Sequence, residues 1–248
     1  MAEPVKAVTF DFWNTIACEP PGTMAEARQR AVAAACESCE IEVEAELLAA
    51  SLEEVASSYH RSWSAGTHFH PREGAEMLVR AIGAEGAARE MVAEAFLTAG
   101  RGASLELAPD IRSCLAALDG REIRLGIVCD VGFTGGELLR DFLDREGLLE
   151  HFSGWAFSDE VGHYKPSPQI FEAALDALGV QPAEAVHVGD LRRTDIAGAR
   201  GIGMGTVRYR ALNDDSAADG GEEAAFVVDS HSELPDLIAR ISAPTDGA

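Results

Sequence analysis

Apolar and polar positions change rhythm twice along this chain. Val5, Val8 and Phe10 form a short β-type run that stops at Asp11, as a strand buried on both faces reads. The spacing then becomes helical. Thr23-Met-Ala-Glu26 has the form of a capping box and predicts a helix to about residue 40. Residues 44–64 carry Leu47, Leu48, Leu52, Val55 and Tyr59 on one stripe of a second helix. Pro71 and Gly83 bracket a third, and 85–99, closed by Gly100, make a fourth. Every acid between Cys18 and Ser104 is Glu rather than Asp, which suits helices because Glu is the better helix former.

From Leu105 strand and helix alternate. Helices are expected at 109–118, 136–145, 167–178, 195–200 and 233–241, and strands at 123–129, 155–158, 185–188, 205–208 and 225–228. Such alternation implies a parallel sheet with right-handed crossovers. The expected fold is therefore α/β: a doubly wound, Rossmann-like core from residues 1–17 and 105–248, with an all-helical domain inserted at 18–104. Residues 213–223 read as a polar, acidic loop with no evident job.

Charge narrows the function. With 42 acids against 20 Lys and Arg, the net charge is −22, which opposes binding to nucleic acid or to an anionic membrane. A small anionic substrate would need a local cation cluster or a metal. No apolar stretch is long enough to span a membrane, and no signal region precedes the first strand. Five scattered cysteines suit a reduced, cytoplasmic protein. Cys36 and Cys39 lie inside a helix pattern with no second pair, so they read as small buried hydrophobes.

The chemistry sits at the ends of the strands, where ligands bind in an open parallel sheet. The first strand ends at Asp11, and Thr15 is placed to tie the following turn to the Asp11 backbone. Another ends at Cys129-Asp130, and a third runs into Gly189-Asp190, with Asp195 five residues later. Lys165 precedes Pro166-Ser-Pro168 and a helix. Converging carboxylates need a cation. A hard ion such as Mg²⁺, held by Asp11, Asp190 and Asp195 or their waters, would satisfy them. Lys165 would supply a fixed positive charge between the nucleophile and a phosphoryl group.

Together these segments resemble the haloacid dehalogenase-like hydrolase superfamily. The matching positions are Phe10-Asp11-Phe-Trp-Asn-Thr15, Cys129-Asp130, Lys165-Pro166 and Gly189-Asp190-Leu-Arg-Arg-Thr-Asp195, and the helical insert falls where family members carry a cap. The resemblance implies that Asp11 is a nucleophile forming a covalent aspartyl intermediate. It also implies that the backbone carbonyl of Trp13 joins Asp11 and Asp190 around Mg²⁺, with Asp195 in support.

Two positions depart from the phosphatase pattern. Family phosphatases carry a second Asp two residues after the nucleophile, where this chain has Trp13. That Asp protonates the leaving oxygen and then activates water; an indole does neither. Family dehalogenases carry an aromatic residue there, since halide leaves without a proton. Cys129 stands where a Ser or Thr normally donates to the phosphoryl group, and a thiol is a weaker donor.

The expected activity is a Mg²⁺-dependent phosphatase of a small phosphorylated metabolite. Either its leaving group needs little protonation, or another group supplies the proton, with Asp130, His60, His68 and His70 as candidates. His60, Arg61, His68, His70 and Arg72 form either a substrate-reading patch or an exposed helix-loop surface. Trp13 either packs beneath the insert or walls the substrate pocket. The alternatives are a metal-independent 2-haloacid dehalogenase using Asp11 and Lys165 on a halogenated metabolite, and a non-catalytic protein that binds a phosphorylated ligand.

Overall fold

A computed structural model describes residues 4–216 and 221–242. In chain order its elements are β1 (Ala7–Phe10), β2 (Ala17–Cys18), α1 (Thr23–Ser38), α2 (Ala45–Ser64), α3 (Pro71–Ala81), α4 (Gly86–Thr98), β3 (Glu106–Leu107), α5 (Ile111–Asp119), β4 (Arg124–Cys129), α6 (Gly136–Arg145), β5 (Phe152–Phe157), α7 (Ser158–Val161), α8 (Pro168–Leu178), β6 (Ala185–Gly189), α9 (Ala197–Gly201), β7 (Gly205–Tyr209), β8 (Phe226–Val228) and α10 (Leu234–Ser242). No helix among the described residues is long and apolar enough to cross a membrane.

The chain divides into two compact units. One is Met1–Cys18, Glu106–Asp130 and Leu143–Ala248; the other is Glu19–Leu105 with Val131–Phe142. The first unit is built on six parallel strands in the order β5-β4-β1-β6-β7-β8. The chain runs outward from β1 through β4 to β5, then restarts at β6 on the other side of β1. That reversal makes the β1/β6 boundary the topological switch point, where open α/β sheets bind ligands. β1 is buried throughout, which explains its continuous apolar run. On one face α8 packs Ile170, Phe171, Ala174 and Leu175 against Val128 and Ala156. Gly126 permits that approach: a Cβ there would lie 2.8 Å from Leu178 Cδ1.

The second unit holds α1 to α4 around Val32, Leu48, Val55, Leu78, Val79, Val92 and Phe96. The sequence assigns 131–142 to the alternating core, yet Phe133 packs in this unit, 5.3 Å from the Phe96 ring and 5.2 Å from Tyr59. Phe69, just before α3, also meets the Phe133 ring at 6.3 Å, a tertiary preference invisible to local pattern. The capping box expected at Thr23 and Glu26 is absent. Thr23 is the first helical residue, behind Gly22 at φ 83°, and its hydroxyl donates to the Pro20 carbonyl at 2.9 Å. A capping box forms instead at α3, where His70 Nδ1 accepts from Arg72 N–H at 3.0 Å and Glu73 accepts from His70 N–H at 3.0 Å. Leu47, placed on the inward stripe of α2, is exposed.

Candidate active site

β1 delivers Asp11 to its carboxyl end, and the Asp11 N–H continues the ladder to the Val188 carbonyl of β6 at 2.8 Å. Asp190 follows the adjacent β6, so the switch point itself brings these two carboxylates side by side. Asp195 arrives differently from the expected helix start at that residue. Residues Arg192–Ile196 form a π-helical turn, with Ile196 N–H reaching the Leu191 carbonyl at 3.2 Å. This wider turn folds Asp195 back toward the end of β6, and Leu191 N–H donates to its Oδ2 at 3.0 Å. Gly189 makes room: a Cβ there would sit 2.4 Å from Asp195 Cγ.

Lys165 closes the group. Its Nζ donates to Asp11 Oδ1 at 2.5 Å and to Asp195 Oδ1 at 2.7 Å, and all four side chains, Asp190 included, are buried. The Lys165 backbone is held in turn, its N–H donating to Asp130 Oδ1 at 3.0 Å. Gly198 lets α9 approach this loop, since a Cβ there would lie 2.9 Å from Pro166 Cα.

The electrostatics are lopsided. Burial would pull the Lys165 amine down, but Asp11 and Asp195 hold it well above the usual lysine range. Burial would raise Asp195, yet Lys165 and the His187 hydrogen bond keep it well below the usual carboxylate range. Asp11 loses this competition: burial raises it well above the ordinary value despite Lys165. Asp190 is pushed up to about 7 by burial and by Asp195. One lysine serves three carboxylates, and two of them are left short of positive charge. Their oxygens lie within 4.8 Å of one another. All-oxygen donors at that spacing fit a hard divalent cation, with Asp11, Asp190 and Asp195 as the residues to hold it.

The remaining expected site residues fall out unevenly. Cys129 is fully buried at the end of β4, and burial followed by the Asp11 charge pushes its thiol well above the usual range. Burial thus favours the neutral thiol over the thiolate. Trp13 is half-buried and meets Phe12 edge-on at 5.0 Å. Thr15 does not make the expected tie: its buried Oγ1 has no hydrogen-bond partner among the described residues. The turn is closed by backbone bonds instead, from Ile16 and Ala17 N–H to the Phe12 carbonyl at 2.9 and 3.0 Å. His60, His68 and His70 belong to the helical unit, where His70 caps α3 and lies 6.1 Å from the His68 ring. Cys36 packs in that unit's core.

Asn213, His187 and Thr9 join the cluster and escaped the sequence reading. Asn213, in the loop that had no evident job, donates to Asp190 Oδ2 at 2.6 Å. In the same loop Asp215 accepts from Arg192 N–H at 2.8 Å, and Asp214 from Arg208 at 2.9 Å. His187 and Thr9, both fully buried, join behind Asp195. The available signal was a polar residue in the middle of each apolar strand.

Comparison with known proteins agrees with this geometry. The family model of haloacid dehalogenase-like hydrolases matches residues 5–203. The chain is 34% identical to the glyceraldehyde 3-phosphate phosphatase of Methanopyrus kandleri, over 96% of this chain and 99% of that protein. It is 40% identical to the phosphoserine phosphatase of Thermus thermophilus, over 56% of this chain and 53% of that one. Its fold resembles a 2-haloacid dehalogenase of Pseudomonas syringae pv. Tomato DC3000, with a TM-score of 0.73, 24% identity, and coverage of 95% and 99%. The motifs, the buried charge cluster and a family match across most of the sequence lead to one conclusion: this chain is a haloacid dehalogenase-like hydrolase.

Proposed function

We propose that this hydrolase is a Mg²⁺-dependent phosphatase of a small phosphorylated metabolite, with residues 18–104 serving as a helical cap. The observation that carries the reading is the pair Asp190 and Asp195 beside Asp11. Displacement of a halide needs no cation, whereas a doubly charged phosphoryl group needs the one that these carboxylates would hold. The full-length relative named as a phosphatase supports the same choice.

In this mechanism Lys165 grips Asp11 Oδ1, which leaves Oδ2 as the attacking atom. Lys165 also opposes the burial that raises Asp11, and a bound cation would add to that pull. Oδ2 forms a bond to phosphorus as the bond to the leaving oxygen breaks, giving a phosphoaspartyl intermediate. Water then attacks phosphorus, releasing phosphate and restoring the Asp11 carboxylate. Held by Asp11, Asp190 and the Trp13 backbone carbonyl, with Asp195 in support, Mg²⁺ would neutralise charge on the phosphoryl oxygens. Thr15 belongs to the turn that carries that carbonyl. Cys129 offers one weak S–H donor to the same group.

Trp13 defines the kind of leaving group. With no carboxylic acid two residues after Asp11, a leaving oxygen that needs no proton, as in an acyl or aryl phosphate, is favoured over an alkyl one. Asp130 is a candidate donor on the core, and its Oδ1 accepts from Lys165 N–H.

Trp13 also favours a second reading, hydrolysis of a 2-haloacid without metal. One panel separates the two: phosphorylated metabolites and 2-haloacids, each with Mg²⁺ and with EDTA. The proposal expects phosphate release that EDTA abolishes. Halide release that survives EDTA would replace it with the second reading.

A further inference from the structure

The parallel register of β1 and β6 sets Thr9 directly beside His187. Both side chains are wholly buried, and Thr9 Oγ1 lies 2.9 Å from His187 Nδ1. The other ring nitrogen, Nε2, is 3.2 Å from Asp195 Oδ1. The ring edge is braced by Phe171 of α8, at 5.1 Å and nearly perpendicular. A chain of hydrogen bonds therefore runs Thr9–His187–Asp195 and ends on the oxygen that Lys165 also holds at 2.7 Å.

The direction of each bond follows from the donors available. A carboxylate that accepts from Lys165 and from Leu191 N–H can only accept from His187, so Nε2 carries a proton. The ammonium of Lys165 on the same oxygen disfavours a second full charge beside it. Nδ1 is then a bare lone pair, and the Thr9 hydroxyl donates to it. Asp195 thus sets the tautomer, and the Thr9 hydroxyl satisfies the buried lone pair that this tautomer leaves on Nδ1.

We infer that Thr9 and His187 are positioning residues: through this chain of hydrogen bonds they hold Asp195 Oδ1 against Lys165 and leave the carboxylate oriented for cation binding. This rests on the proposed Mg²⁺ chemistry for its consequence but on strand register for its geometry. Groups that orient metal ligands in this way typically change affinity by ~10–100-fold when removed.

The test has two independent readouts. Two-dimensional ¹⁵N NMR of the metal-free protein reports the His187 tautomer, and calorimetric titration with Mg²⁺ reports affinity. The expected result is an Nε2–H imidazole in the wild type. Thr9→Val should leave the buried Nδ1 without its donor and weaken Mg²⁺ binding by roughly tenfold, while Thr9→Ser restores it. An Nδ1–H tautomer in the wild type, or unchanged Mg²⁺ affinity in Thr9→Val, would overturn the inference. Absence of Mg²⁺ binding to the wild type would instead overturn the proposed function, and the tautomer alone would then decide the positioning role. The wild-type spectrum needs no variant, so poor folding of Thr9→Val leaves the test in force.

Discussion

Asp11 and Lys165 are separated by 154 positions in the chain, yet their side chains meet at 2.5 Å in the buried interior. The pair joins the end of β1 to the loop before α8, and it carries opposite consequences for stability and chemistry. Removing Lys165 leaves Asp11 and Asp195 buried without their cation, a loss of about 3–5 kcal/mol for a broken buried pair. Lys165→Met should therefore melt well below the wild type in EDTA and lose activity.

Asp11→Asn should behave in the opposite sense for stability. It removes one of three crowded carboxylates whose ionisation burial opposes, so in EDTA its melting temperature should equal or exceed that of the wild type while turnover disappears. In the double variant, Asp11→Asn should recover part of what Lys165→Met loses. A thermal melt of all four proteins checks this, and strictly additive losses would contradict it.

Binding of Mg²⁺ should raise the melting temperature. At a hundredfold excess over the dissociation constant, a ligand specific for the folded state adds about 2.7 kcal/mol, or roughly 5–10 °C for a chain of this size. Asp190→Asn should lose most of that increment. An undiminished Mg²⁺ shift in this variant would take Asp190 out of the site.

Trp13→Asp supplies a carboxylic acid where the leaving oxygen departs. The wild type should prefer aryl and acyl phosphates over alkyl phosphates. The variant should narrow that preference, since general acid catalysis contributes ~10²–10⁴-fold where the leaving group is poor. Parallel kcat/KM measurements on an aryl and an alkyl phosphate decide it; a preference that does not shrink would defeat the leaving-group argument.

His231 gives the fold a pH dependence away from the reacting atoms. Its Nε2 donates to the Thr15 carbonyl at 2.7 Å, its ring stacks on Tyr209 at 4.0 Å, and its buried Nδ1 has no partner. Burial pulls it down to about 4 despite the carbonyl bond, against an ordinary value of 6.5. The unfolded chain therefore takes up the proton first, so this contribution is intact above pH 6.5 and is lost as pH falls toward 4. The full difference is on the order of 3 kcal/mol at 1.36 kcal/mol per pH unit. His231→Gln should show a shallower loss of stability in denaturant melts across that window. Curves that stay parallel would contradict it.

Arg28 of α1 lies in the helical unit with its guanidinium 5.2 Å from the Phe96 centroid and 5.0 Å from that of Phe133. Its Nε is buried without a hydrogen bond, and burial lowers the group to about 10. Cation–π contacts of about 0.5–2 kcal/mol each and the attraction of Glu19 offset only part of the desolvation of this charge. Arg28→Met should thus raise the melting temperature by roughly 2–4 °C, about 1 kcal/mol, and a fall of that size would contradict it.

The parallel sheet was legible because a sheet buried on both faces leaves continuous apolar runs, and each run here stops at a polar residue. Asp11, Lys165, Asp190 and Asp195 stood out for that reason. What stayed hidden depends on tertiary geometry. The π turn that redirects Asp195 has no distinct composition, and the Thr9–His187 pairing exists only once β1 and β6 are in register. Asn213 reaches Asp190 from a loop whose polarity looked like solvent exposure. Thr23 carried the right letters for a cap but fell one residue inside the helix, where its hydroxyl points back to Pro20.

The account turns on covalent chemistry at one carboxylate. Acid-quenched protein from a reaction with a phosphorylated substrate and Mg²⁺, digested and weighed by mass spectrometry, should carry one phosphoryl group on the peptide containing Asp11. The same peptide from a reaction with EDTA should be unmodified. A substrate that is turned over in the presence of Mg²⁺ while its phosphoryl group appears on a different residue would contradict the account.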